Sequence, residues 1–185
     1  YVCQKKSVDG GKTWGNLTYP FGREIATREP SPVYDFIHDK LMLVANLMDS
    51  QLIMVPLSVV SVTRGLSDDE GESYSPMENI NEKVGAAHTT YVGVGHGLQI
   101  RNGPHRGRLV VEFQLLTSQI FIGHHWAYEY DPVWYTDDVG KTWTASNSMM
   151  KKMDEAQLVE LEDGIVMANM RNQHLNVESR VLRDS

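Results

Sequence analysis

The chain has one cysteine, Cys3, so no internal disulfide framework can hold it together. Positive charge is also scarce: 17 Lys and Arg stand against 24 Asp and Glu, a net charge of −7. That balance disfavours nucleic acid as a partner and suits solubility. Long apolar runs are missing. The stretch from Leu52 to Val60 is broken by Pro56 and is far too short to span a bilayer. Helical periodicity and linker-like composition are absent too. What is present is 41% hydrophobic and 22% charged, enough apolar material for a core and too much for a disordered chain.

The most informative feature present is a phrase that occurs three times. It reads Ser7-Val8-Asp9-Gly10-Gly11-Lys12-Thr13-Trp14, then Ser67-Asp68-Asp69-Glu70-Gly71-Glu72-Ser73-Tyr74, then Thr136-Asp137-Asp138-Val139-Gly140-Lys141-Thr142-Trp143. All copies fit hydroxyl-x-Asp-x-Gly-x-hydroxyl-aromatic. A phrase returning at such intervals marks a repeat architecture. Ser, Thr and Asp side chains hold tight turns by bonding nearby backbone N–H groups. Gly supplies the positive φ, and the closing aromatic buries a flat surface against the next sheet. Each copy therefore reads as a self-capped turn, once per structural unit. Asp68-Asp69-Glu70-Gly71 also invites a calcium loop, but no Glu closes a twelve-residue loop and no helix flanks it.

Between the phrases lie short strand-like segments: 40–45, 51–55, 108–111 and 165–170, separated by Gly, Asp and Pro. Repeating four-stranded units of this length imply β-propeller blades. The chain opens just before the first phrase and closes on Arg180-Val181-Leu182-Arg183-Asp184-Ser185, a similar lead-in. The expectation is a partial propeller domain over 1–185 that covers about three blades.

The sequence resembles the exo-α-sialidases (neuraminidases), whose repeated turn is the Asp-box. Beyond the boxes, Glu29-Pro30-Ser31-Pro32-Val33-Tyr34-Asp35 is similar to the family's Asn-Pro-x-Pro-Val-x-Asp segment. Gly93-Val94-Gly95-His96-Gly97-Leu98-Gln99-Ile100 resembles its Gly-Pro-Gly-x-Gly-Ile-Gln, and Gly103-Pro104-His105-Arg106-Gly107-Arg108-Leu109-Val110-Val111 follows as in animal and related members. Asp154-Glu155-Ala156-Gln157-Leu158-Val159-Glu160-Leu161-Glu162-Asp163-Gly164, leading to Asn169-Met170-Arg171-Asn172, resembles the stretch that carries two active-site residues.

The resemblance implies an all-β, six-bladed propeller that hydrolyses terminal sialic acid from glycoproteins, gangliosides or oligosaccharides, with retention and without cofactor or metal. In this family the nucleophile is a Tyr rather than one of a carboxylate pair. The anomeric carbon carries a carboxylate that would repel an anionic nucleophile, whereas a Tyr attacks neutral as a Glu takes its proton. Three Arg hold the substrate carboxylate through bidentate hydrogen bonds. The resemblance makes Glu155 the Tyr-activating base and Arg171 the middle substrate-binding Arg. The first Arg and the acid/base Asp would lie before Tyr1, the third Arg and the Tyr after Ser185, so the fragment alone should be inert. The family spans cytosolic, lysosomal, membrane-associated and secreted members, so no compartment follows.

Asp163-Gly164 is a hairpin signal between strands on either side. A three-residue loop, Glu162 to Gly164, opposes Glu155 to Arg171 on one face, whereas a two-residue loop opposes Glu155 to Asn172. An ordinary cross-strand ion pair is the competing account of these two residues.

Several positions depart from the family pattern. Val94 stands for Pro, Glu29 for Asn and Glu112 for Pro, and Gln114 and Leu116 replace two substrate-facing Tyr of the cytosolic-type animal enzymes. The cluster Trp126, Tyr128, Tyr130, Trp134 and Tyr135 offers stacking surface or blade packing. Gly93 to Gly97 is no dinucleotide fingerprint, and His88, His96, His105, His124 and His125 lack zinc spacing. Asn16-Leu17-Thr18 is a glycosylation sequon if the protein is secreted. Two other readings stand beside sialidase: a catalytically lapsed propeller binding glycans or proteins, and an unrelated Asp-box protein such as a sorting receptor or endoglucanase.

Overall fold

The computed structural model describes residues 1–48, 59–84, 90–93, 95–115, 121–122, 125–126, 133–147 and 153–172. Among these, regular structure is β apart from a 3-10 turn, and the strands form blades packed face to face. The expected segment at 51–55 lies outside the described residues.

One blade is complete: β1 (Thr27–Asp35), β2 (Lys40–Met48), β3 (Val59–Ser67) and β4 (Glu78–Asn79), in that order and antiparallel. Burial alternates along β1, and Pro30 and Pro32 fit there because its ladder runs to β2 alone within this sheet. β2 is buried on both faces, which explains its unbroken apolar run from Leu41 to Ala45.

The second blade comprises β5 (Thr90–Val92), β6 (Leu98–Gln99), β7 (Leu109–Leu115), β10 (Val133–Thr136) and β11 (Thr144–Ala145). Its first strand is split: β5 and β6 both pair with β7, and the described glycines Gly93, Gly95 and Gly97 lie between them. A β8–β9 pair (Phe121–Ile122 and His125–Trp126) stands apart from these sheets. Half a blade flanks each side. Upstream, Gln4 bridges Thr18 around the first Asp-box. Downstream is the hairpin of β12 (Met153–Glu160) and β13 (Val166–Asn172).

Cores fill the gaps between neighbouring sheets. Val2, Phe21, Leu43 and Ala45 join the upstream half-blade to the first blade. Val33, Met42, Val44, Val62, Leu109, Val111, Phe113 and Trp134 join the first blade to the second. Ile100, Val110 and Leu158 dock the hairpin on the second blade.

The boxes share one hydrogen-bond pattern. The first hydroxyl accepts the N–H of the conserved Gly at 2.8 Å in every copy (Ser7–Gly11, Ser67–Gly71, Thr136–Gly140). The Asp takes both the N–H and the hydroxyl four residues on: Asp9 from Thr13, Asp69 from Ser73, Asp138 from Thr142. The second and third boxes join the third strand of their blade to the fourth, β3 to β4 and β10 to β11, at the end opposite residues 153–157.

The closing aromatics differ in burial. Trp143 is 8% exposed and Tyr74 is partly buried, whereas Trp14 is 60% exposed. The difference is geometric, because each box packs on the blade before it. Gly71 accepts from the Gln4 side chain, and Val139 accepts from Arg64. Among the described residues no sheet precedes the first box, so Trp14 is left in solvent.

Val139 sits at φ +59, where Gly10 sits in the first box and Glu70 in the second. A β-branched residue in that region is strained by about 1–2 kcal/mol, and Gly is not. Val139→Gly should therefore raise the thermal midpoint, by about 1 kcal/mol of stability after the extra chain entropy of Gly is counted. A melt showing no gain would reject that strain.

Hydrogen bonds from Thr13 hold the Asp9 carboxyl down at about 2, and those from Ser73 do the same for Asp69. Because the folded values lie below the ordinary 3.8, this contribution is complete above that value and disappears as pH falls through about 2. Acid titration followed by circular dichroism should show loss of structure in that window, and Asp69→Asn should remove this site's share of the pH dependence.

Candidate functional site

The β12–β13 hairpin turns through Glu162–Gly164, with Asp163 at φ +58 and Gly164 at φ +78. Leu161 N–H donates to Ile165 C=O at 2.7 Å, so the loop has three residues, one of the two alternatives open from sequence. Val159 pairs with Met167 and Ala156 with Met170, and the register shifts between Met153 and Ala156. Asp154 and Glu155 lie within this bulge, a device that re-aims side chains.

The result is an ion pair: Glu155 Oε2 lies 3.1 Å from Arg171 Nη1. The side chains are 45% and 58% exposed respectively. A pair this exposed contributes little to stability, with a median of about 0–1 kcal/mol, so it leaves both groups available to a ligand.

The opposite face of the hairpin fixes this pair in space. Ala156 and Leu158 are buried toward the second blade. At the far end of β12 the Glu160 carboxylate accepts the N–H groups of Arg101 and Asn102, both at 2.8 Å. Although desolvation opposes it, these donors leave the Glu160 carboxyl below its usual range. Leu158 packs on Val110, which fixes how β12 lies against β7.

Sequence reasoning marked Glu112 and Gln114 as departures without seeing where they lie. They alternate with Val111 and Phe113, so they share the Val110 face toward the hairpin, and Tyr91 joins them opposite Gln114. All three are buried, with Glu112 5% exposed. A Cβ on Gly93 would overlap the Glu112 carboxylate, and one on Gly95 would overlap the Gln157 amide. A Cβ on Gly97 would meet Val111 at 2.9 Å. The glycine-rich loop is thus shaped by close approach of three neighbours.

Its lead-in is clamped from the first blade. Asn46, fully buried, accepts Val92 N–H at 2.8 Å, donates to Val92 C=O at 3.2 Å and also donates to the Glu29 carboxylate. Glu29 itself sits at φ +51. Asp35 and Gln99, from the two family-like motifs, bond to each other at 2.7 Å at the box end. Their role is to join blades.

Of the aromatic cluster, Trp134 lies in the core against Phe113, and Tyr135 lies beneath the Arg108 guanidinium at 3.9 Å. Both belong to packing. Tyr128, Tyr130, Leu116, His88 and His124 lie outside the described residues.

The fold and geometry define a partial Asp-box β-propeller with an accessible carboxylate–guanidinium pair at the end opposite the boxes. No protein-family model matches the chain. It is 28% identical over 188 residues to a sialidase of Micromonospora viridifaciens, covering 92% of this chain and 28% of that protein. A Bacteroides fragilis (strain YCH46) sialidase is 27% identical over 192 residues, covering 92% of this chain and 33% of that one. In structure the chain is similar to the Hadza microbial sialidase Hz136, with a TM-score of 0.75 and 20% identity, over 92% of this chain and 35% of that one. In sequence the chain is thus similar to bacterial sialidases, and in fold to sialidase β-propellers. It spans about a third or less of the curated relatives' length.

Glu160→Ala removes a carboxylate that accepts three hydrogen bonds. It should cost about 1–2 kcal/mol and speed amide exchange in β12 before the rest of the molecule. Uniform exchange across all blades would contradict a local tie.

Proposed function

We propose that the chain is part of an exo-α-sialidase that releases terminal sialic acid from glycoconjugates with retention. The observation that carries the reading is the Glu155–Arg171 pair, held on one face of a hairpin by a three-residue turn and a bulge. In this reading Arg171 binds the substrate carboxylate. A Tyr oxygen attacks the anomeric carbon as the glycosidic bond breaks, and Glu155 takes the phenolic proton. An Asp gives a proton to the leaving oxygen. Water then displaces the Tyr and gives a proton back to the Asp, while the Tyr recovers its own proton from Glu155. The Tyr, the Asp and two further Arg come from segments outside this chain, so the chain alone is catalytically inert. Sialylated glycans are the ligands.

The test uses the full-length protein and a fluorogenic sialoside. Removing a base of this kind costs about 10²–10⁴ in rate, so Glu155→Ala should lower kcat by that order. Arg171→Ala should lose at least ~100-fold in kcat/KM, as expected when a charge partner is removed. The 185-residue chain should show no turnover. Full activity in both variants would refute the assignments. An inactive full-length protein that still binds sialosides would identify a lapsed, glycan-binding propeller instead.

A further inference from the structure

We propose that Gln157 is a positioning residue for Glu155, held in place by the 93–97 loop. Glu155 lies in a β-bulge, where the ladder alone does not fix the direction of a side chain. Two residues further along β12, on the same exposed side, the Gln157 amide rests against the backbone of Gly95, in the space a Cβ would need. That loop is a firm seat. Asn46 grips Val92 on both backbone groups. Gly93 N–H donates to Glu112 C=O at 3.1 Å while its Cα lies against the Glu112 carboxylate. Gly97 N–H donates to Pro32 C=O at 3.0 Å. The loop is thereby tied to both blades, and through Gln157 it reaches the strand that carries Glu155.

The consequence is specific. Arg171 stands on β13, the neighbouring strand, so loosening Gln157 acts first on the strand that carries the base and less on carboxylate binding. This rests on the sialidase reading of Glu155. In the full-length protein, Gln157→Ala should lower kcat at least ~10-fold, with KM within about twofold and the thermal midpoint nearly unchanged. Gln157→Met, which refills the seat without the amide's polarity, should restore much of kcat. Val159→Ala, one pleat further along the same side and clear of the loop, should leave kcat unchanged. Amide exchange over 153–156 should rise in Gln157→Ala and return toward the parent value in Gln157→Met.

An unchanged kcat in Gln157→Ala, or a loss matched by a fall in thermal midpoint or shared by Val159→Ala, overturns the proposal. The two readings fail separately. If Glu155→Ala is impaired and Gln157→Ala is not, only the positioning role falls. If Glu155→Ala is fully active, the sialidase assignment falls and takes the catalytic part of the inference with it. Unchanged exchange over 153–156 would remove the seat itself, whatever the activity.

Discussion

The carboxylate at the third position of each Asp-box is the interaction on which the rest of the structure depends. It accepts a backbone N–H and a hydroxyl from four residues ahead, while the leading hydroxyl caps the Gly N–H. Those bonds close a turn whose backbone passes through two successive left-handed residues in each copy. A turn of that shape would otherwise be poorly populated. Once closed, it presents its carbonyl edge to the preceding blade, where the side chain of Gln4 or Arg64 meets it. A local motif therefore does long-range work by fixing blade-to-blade spacing.

Fixed spacing at the box end has a consequence at the other end. Sheets about 10 Å apart must be filled between, and along β7 the filling changes from Val110 to Glu112 and Gln114. Apolar contact docks β12 where Leu158 meets Val110. Past that point the interface turns polar, and the strand is free to bulge. Glu155 lies at that transition. Its exposure follows from the packing that stops just short of it.

The boxes were legible because their chemistry is local: hydroxyl, Asp, Gly and aromatic act within eight residues, and no partner is needed to recognise them. The hairpin register was half legible. Asp163-Gly164 announced a turn, but both loop lengths satisfy it, and what separates them is the docking of Leu158 on another blade. That Trp143 is buried while Trp14 is exposed depends on which side of a blade each box faces, which the phrase itself does not carry. Asn46, Glu112 and Gln157 were not legible either, being single polar residues in strands whose positions acquire meaning when distant segments meet. Asn46 reaches Val92 across 46 positions of sequence. The glycines gave a partial signal. Their spacing excluded a nucleotide fold, but what crowds each of them was invisible.

The loop between β5 and β6 shows why such a motif is costly to alter. Replacing Gly93 would require the Glu112 side chain to leave a buried position, and replacing Gly97 would press on Val111 and Val33 together. These demands come from separate elements, so no single compensating change relieves them all. A loop constrained in this way loses little further entropy in holding a neighbour still, whereas a mobile loop would have to be ordered first. Rigidity built for packing is thus available at no added ordering cost to whatever rests on it, and what rests on it is the strand that carries Glu155.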